Sequence, residues 1–240
     1  MQHPSLVISL ILISSLFHHA LAICEPFGFL LSCYKTLPNS KDIFPEGSDL
    51  MIQRLRLKNF TADYLSFDGY PLTVAPNAQI KRIELNDGVI RGIEDGYFAR
   101  ISGPDALEEL ALNQVEGEFT VTRNTFQGIG PKLKKLKLHT SLRMKSDSFN
   151  DFQALEEIDF RIKSYFEFKK ILRILVTNNV NLTKIVLEHN RIERLPWREL
   201  LIWAEKCPKQ GCSLSLYGNL LTCDSSLVEL RKYMSKYEQK

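Results

Sequence analysis

The chain has 240 residues, with 31 Lys and Arg against 28 Asp and Glu for a formal charge of +3, and it is 44% hydrophobic and 25% charged. That balance is ordinary for a globular protein. It excludes a disordered charged tail, a collagen-like or Pro-rich fibre, and the strong basic surplus of a chain that grips nucleic acid through its phosphates.

Taken in chain order, the first segment is 1–22. Leu6 to Phe17 is apolar apart from Ser9, Ser14 and Ser15, and Ala20-Leu21-Ala22 puts small residues where a signal peptidase reads. A secretory signal cleaved after Ala22 is expected, although Met1 to Ser5 carries no Lys or Arg. Its apolar core is shorter than the roughly 20 residues that span a bilayer, so a secreted, extracellular chain without membrane insertion is expected.

Secretion decides how the five cysteines are read. Cys24 and Cys33 near one end, and Cys207, Cys212 and Cys223 near the other, point to disulfides rather than metal thiolates. The sequons Asn59-Phe60-Thr61 and Asn181-Leu182-Thr183 are candidate glycosylation sites on the same route.

Between the cysteine clusters a phrase of the form apolar-x-x-apolar-x-apolar recurs. Its copies are Ile52, Leu55, Leu57; Ile80, Ile83, Leu85; Leu107, Leu110, Leu112; Leu133, Leu136, Leu138; Leu155, Ile158, Phe160; Leu182, Ile185, Leu187; and a degenerate last copy ending Leu214, Leu216. The starts are about 28, 27, 26, 22, 27 and 29 residues apart, which is leucine-rich-repeat spacing. Each copy predicts a short strand with alternate residues inward, then a turn and an irregular or helical return. Apolar pairs in phase with the repeat, Phe98 with Ile101, Phe126 with Ile129, Phe149 with Phe152 and Trp197 with Leu200, predict a spine on the far side of each coil.

The sixth copy carries Asn190 and the seventh Asn219 at the turn position, where the other five have Phe60, Gly88, Val115, Ser141 and Lys163. Without an asparagine to satisfy turn backbone groups, the first five coils are expected to be irregular.

Cys24-x8-Cys33 before the first copy resembles the N-terminal cysteine cap of extracellular leucine-rich-repeat proteins. The run Gly218-Asn219-Leu220-Leu221-Thr222-Cys223-Asp224, followed by Leu227, Leu230 and Tyr233 at helical spacing, resembles their C-terminal cap. The resemblance implies an α/β leucine-rich-repeat solenoid with a curved parallel sheet on the concave face. It implies an organisation of 1–22 signal peptide, 23–50 N-terminal cysteine cap, 51–210 repeats, and 211–240 last repeat and C-terminal cap with an amphipathic helix. The sequence departs from the family where its cap commonly has a Cys-x-Cys, with Ser225 at the second position. If Cys24 pairs with Cys33, one of Cys207, Cys212 and Cys223 is left over. It is then either a buried thiol packed as a small apolar residue or a covalent link to a second copy or a partner.

A solenoid of this pattern turns a list of strand residues to its concave side. By rung these are Arg54, Arg56, Lys58; Arg82, Glu84, Asn86; Glu109, Ala111, Asn113; Lys135, Lys137, His139; Glu157, Asp159, Arg161; Lys184, Val186, Glu188; and Ser213, Ser215, Tyr217. Adjacent strands lie about 4.8 Å apart, so Glu109, Lys135 and Glu157 should form one ladder of alternating sign, and Lys137 and Asp159 another. Such ladders serve either as exposed neutralising pairs worth about 0–1 kcal/mol each or as an electrostatic footprint for a partner. Arg54, Arg56, Lys135, Lys137, Glu157 and Asp159 are the candidate contacts. Rungs spanning about 29 Å offer about 300–450 Å², below the roughly 800 Å² per partner of a standard interface, so a tight partner would also use flanks or loops.

No catalytic, cofactor or metal site is legible. After the signal only His139 and His189 remain to serve a nucleophile or a metal. Gly-x-Ser-x-Gly, His-Glu-x-x-His, Cys-x-x-Cys and phosphate-loop patterns are missing from the sequence. The expectation is a secreted, non-enzymatic protein without cofactor that recognises an extracellular protein ligand. The alternative from a different class is a non-catalytic accessory subunit of a secreted enzyme complex, for example of the two-component luciferase type.

Overall fold

The computed structural model describes residues 23–27, 29–34, 52–66, 79–102, 106–161, 165–207, 211–222 and 224, with isolated positions to 235. The expected signal segment, residues 35–51 of the expected N-terminal cap, Cys223, and Leu227, Leu230 and Tyr233 of the expected cap helix lie outside the described residues.

One sheet runs the length of the described chain. Its path is β1 (Ile23–Phe27), β2 (Leu30–Tyr34), β3 (Arg54–Lys58), β5 (Arg82–Ile90), β6 (Glu109–Glu116), β8 (Lys135–Thr140), β10 (Glu157–Arg161), β11 (Lys184–Val186) and β12 (Ser213–Ser215), with the short β4 (Thr61–Ala62) paired beside β5. β1 and β2 form an antiparallel hairpin, and every later pairing along the path is parallel. Two short strands, β7 (Thr120–Val121) and β9 (Arg143–Met144), make a second parallel ribbon on the descending side. Helices α1 (Tyr97–Ser102), α2 (Tyr165–Asn178) and α3 (Trp197–Glu205) and two 3-10 turns at Arg123–Phe126 and Ser146–Phe149 supply the returns.

The register is the one the repeat predicts, with Leu55, Ile83, Leu110, Leu136, Ile158, Ile185 and Leu214 in one row. All but Leu214 in that row are buried, as are Ile52, Ile80, Leu107, Leu133, Leu155 and Leu182, which lead the strands into the core. A main-chain ladder sets the spacing at the strand starts. Phe29 O accepts from the N–H groups of Gln53 and Arg54, Gln53 O from Lys81 and Arg82, Lys81 O from Glu108 and Glu109, Glu108 O from Lys134 and Lys135, and Lys134 O from Glu156 and Glu157. The hairpin turn thus acts as one more rung, and Leu31 and Cys33 of β2 are buried on the first coil.

Opposite the sheet, Phe98, Phe126, Phe149 and Phe152 pack ring to ring, with centroids 6.3 Å apart for Phe98 and Phe126 and 5.4 Å for Phe126 and Phe152. The fourth expected spine pair is different. Trp197 is only half-buried, and Trp203 one and a half turns later is buried and donates from Nε1 to Leu182 O at 2.6 Å. The nine-residue helix turns Glu199, Leu200 and Trp203 to the core and leaves Trp197 at its outer start. In the fifth coil, Phe168, Leu172, Leu175 and Val176 of α2 take the spine position.

The irregularity expected of the first five coils is found at the third turn, where the β6–β8 register shifts between Asn113 and Val115, but not in the strands themselves, and Lys163 of the fifth coil lies outside the described residues. β5 and β6 are the longest strands, nine and eight residues, and run through the position that holds asparagine later. Asn59, Asp87 and Gln114, immediately before that position, take φ of 49°, 52° and 53°, so the backbone kinks and then resumes pairing with the next coil. Val89 N–H donates to Phe60 O and Ser141 N–H to Val115 O, which satisfies main chain by main chain. Phe60 fills the turn of the first coil, and Gly88 makes room for its ring. Where asparagine is present it works as expected. Asn219 donates from Nδ2 to Leu187 O and Leu216 O and accepts at Oδ1 from the N–H groups of Asn190 and Ile192.

Candidate concave binding face

Three columns of side chains stand on the outer face of the sheet. The register aligns Arg54, Arg82, Glu109, Lys135, Glu157, Lys184 and Ser213 in the first. Arg56, Glu84, Ala111, Lys137, Asp159, Val186 and Ser215 stand in the second, and Lys58, Asn86, Asn113, His139 and Arg161 in the third. β2 adds Leu30, Ser32 and Tyr34 ahead of the first rung.

Most of the charges in the first two columns are paired across rungs. In the first, Arg82 reaches Glu109 at 2.8 Å, Lys135 reaches Glu109 at 3.1 Å, and Lys184 reaches Glu157 at 2.8 Å. The expected ladder of Glu109, Lys135 and Glu157 therefore divides, with Lys135 on Glu109 and Glu157 on Lys184. In the second, Lys137 reaches Asp159 at 3.2 Å, as expected, and the other Asp159 oxygen lies 2.5 Å from His139 Nε2. An ionised carboxylate can only accept, so His139 Nε2 carries the proton of that contact. Burial alone would raise the Asp159 carboxyl. The His139 hydrogen bond and the His139 and Lys137 charges outweigh it and hold the group below the usual carboxylate range. His139 was named as a concave residue, but its partner was not foreseen, because the contact is diagonal between columns.

Glu84 is the one buried carboxylate of the face. Its side chain is 6% exposed, and Nε of Arg56 and of Arg82 each lie 2.5 Å from one of its oxygens. Burial pushes its carboxyl up. The hydrogen bond from Arg56 and the charges of Arg82, Arg56 and Arg54 push it down by more, so it is held low. Arg56 is held correspondingly more basic by the same hydrogen bond. Arg54 makes no ion pair among the described residues.

Four of the six expected contact residues meet in one place. Lys135, Lys137, Glu157 and Asp159, together with Arg82 and Ala111, line a depression of about 230 Å³ in the middle of the sheet. Ala111 is the reason for it, since its methyl group stands in a column where Glu84 and Lys137 flank it with long side chains. Arg54 lies apart, in a larger groove of about 630 Å³ at the strand starts of the first three rungs, and Arg56 is committed to Glu84. Both sequon asparagines are exposed, Asn59 just after β3 and Asn181 just before β11.

The charge of the face changes sign along the solenoid axis. Rungs one to four, residues 52–58, 80–86, 107–113 and 133–139, hold eight Lys and Arg against three carboxylates. Rungs five and six, 155–161 and 182–188, hold two against four. Among the described residues, no group of three or more His, Cys, Asp and Glu converges as a metal site would, and no helix is long and apolar enough to cross a membrane.

The cysteines separate by end. Cys24 lies directly opposite Cys33 in the β1–β2 hairpin, and Cys33 is disulfide-bonded. Cys207 is bonded to Cys212, and Cys223 lies outside the described residues.

The architecture matches the crystal structure of the TLR13–ssRNA13 complex with a TM-score of 0.53 over 82% of this chain. The chain folds as a leucine-rich-repeat solenoid. It spans 26% of the TLR13 chain and is 19% identical to it, so the likeness carries the fold and nothing finer. No protein family and no curated protein matches the sequence. In the solenoid the repeat register and the concave columns are those read from the sequence, while the hairpin rung, α2 and the two surface depressions are additions from the structure.

Proposed function

We propose that the solenoid is a secreted, non-enzymatic binding protein that recognises another extracellular protein through its concave face, with Lys135, Lys137, Glu157 and Asp159 at the centre of the contact and Arg54 and Arg56 at its N-terminal side. The observation that carries this reading is the depression at Ala111, where four of these charged groups converge on a surface otherwise filled by side chains. A partner side chain that enters it meets both signs of charge within one rung spacing, which favours a matched pattern over a uniform polyanion. The repeat fold supports a protein-binding role by analogy alone. TLR13 is crystallised with single-stranded RNA. In this chain the concave cations are largely paired with carboxylates, and the formal charge is +3, which favours protein over nucleic acid.

The test is Lys135→Glu with Lys137→Glu in the secreted chain. Each substitution places a carboxylate beside an existing one, Glu109 or Asp159, so partner binding should fall about tenfold or more, with each tenfold corresponding to about 1.4 kcal/mol. The circular dichroism spectrum should be unchanged. Retained affinity for a partner that binds the wild type would move the site off this face.

A further inference from the structure

The groove at the strand starts differs from the rest of the face. The position that continues the main-chain ladder is polar in every coil, being Gln53, Lys81, Glu108, Lys134, Glu156 and Thr183. In the hairpin it is Phe29, which is 61% exposed, and Phe27 beside it is 83% exposed. A tight turn requires neither aromatic, and both line the groove of about 630 Å³ together with Leu30, Arg54, Arg82 and Glu109.

The charges around the groove are already matched with one exception. Glu108 is held by Lys134 at 2.9 Å, with Lys81 at 4.0 Å, and Glu109 by Arg82 and Lys135. Arg54 enters the same groove, directly in register between Leu30 and Arg82, and makes no ion pair among the described residues. A planar guanidinium with free donors next to two exposed phenyl rings fits one kind of occupant.

We infer that this groove binds a segment of the partner protein in which a carboxylate lies next to an aromatic or branched apolar side chain, the carboxylate taken by Arg54 and the apolar group seated between Phe27 and Phe29. The inference rests on the protein-binding reading above and names the part of the partner that reading leaves open. Charge complementarity selects the occupant. The unmatched group is one cation, Arg54, because Glu108 and Glu109 are balanced by Lys81, Lys134, Arg82 and Lys135, so a single carboxylate matches the groove and a continuous anionic surface such as a lipid bilayer or an RNA strand does not. The concave form of the site also favours a chain segment over a flat surface.

The experiment is selection of random dodecapeptides displayed on phage against the complete secreted chain, followed by affinity measurement of the enriched peptides on variants. The expected result is a consensus of Asp or Glu adjacent to Phe, Trp, Leu or Ile. Those peptides should lose about tenfold or more in affinity on Phe29→Ser and on Arg54→Glu, and bind Lys169→Glu, an exposed position of α2 away from the groove, as they bind wild type. Both Phe27 and Phe29 are exposed, so Phe29→Ser should keep the wild-type unfolding midpoint, and Phe27→Ser is the second variant if it does not. Peptides that depend on Lys135 and Lys137 but not on Phe29 would overturn this inference and leave concave recognition standing. Several other outcomes would overturn it too: selection without such a consensus, binding of phosphatidylserine vesicles or a poly-U oligonucleotide that Phe29→Ser abolishes, or self-association in sedimentation velocity that Phe29→Ser abolishes.

Discussion

Replacing Glu84 by Gln tests whether the pairing of the concave face contributes to the fold. The substitution keeps the shape and removes the charge. Glu84 is 6% exposed between Arg56 and Arg82, which are 28% and 38% exposed. Breaking a fully buried pair costs about 3–5 kcal/mol, and breaking a surface pair about 0–1 kcal/mol. Here the group removed is buried while the arginines left behind retain water, so a loss of about 1–3 kcal/mol is expected. With a urea slope of about 2 kcal/mol per molar, the unfolding midpoint at neutral pH should fall by about 0.5–1.5 M. The sign of the pH dependence follows from the depressed folded carboxyl. Its stabilisation is fully present above the unfolded pKa of about 4.3 and is lost as pH falls through the lower folded value. The gap between wild type and variant should therefore be complete at neutral pH and close progressively below about 4.3. Equal midpoints at neutral pH, or a gap that stays open in acid, would refute the pairing argument.

Three further variants probe the frame. Gly88→Ala puts a methyl carbon 2.2 Å from a Phe60 ring carbon, so urea unfolding should show a loss of about 1–3 kcal/mol, recovered in part by adding Phe60→Leu; an undiminished midpoint would mean that Phe60 does not fill that turn. Asn219→Ala removes four hydrogen bonds of the seventh turn, and calorimetry should show a destabilisation of about 2–4 kcal/mol. Cys207→Ser with Cys212→Ser opens a short loop worth about 2 kcal/mol of chain entropy. Intact mass after thiol blocking without reduction should show the same single blocked thiol, on Cys223, in this variant and in the wild type.

The rungs were legible because a strand with one buried face writes its register directly into the sequence. Leu55 and Leu57 can face inward in only one way, and the pattern repeats at a spacing the next coil must match. The early strands run longer than expected because asparagine is one solution to the turn and not the only one. A left-handed residue precedes the turn position in both kinds of coil, Asn59, Asp87 and Gln114 in the early ones and His189 and Gly218 ahead of the two asparagines, and the early coils differ in that main-chain pairing continues past it. Nothing in a search for buried asparagine reports that. Phe29 was overlooked for a related reason. The hairpin joins the ladder through its carbonyl and lacks the apolar-x-x-apolar-x-apolar phrase, so only the backbone reveals it as a rung. The His139–Asp159 contact crosses columns, and a list of side chains by rung cannot anticipate a diagonal. The division of the ladder at Lys135 could have been foreseen from Arg82 and Lys184, which stand in the same column and offer each carboxylate a second cation.

Pairing across rungs and recognition of a partner are compatible uses of the same charges, because pairing removes local imbalance and leaves the imbalance along the axis. Rungs one to four hold eight Lys and Arg against three carboxylates, and rungs five and six two against four. The centres of the two groups lie three rung spacings apart, about 14 Å, or roughly one and a half Debye lengths at 0.1 M salt. At that salt they are partly screened from each other, and under the binding reading above the face would orient a partner whose own charge reverses over a similar length. It would gain little from a partner of one sign, since attraction at one half would be offset at the other. Lowering the salt lengthens the screening distance until both halves act together, and the association rate for a matched partner should then rise while the dissociation rate changes little. A uniform polyanion should show the opposite weighting, with equilibrium affinity that falls steeply with salt and depends on the first four rungs alone.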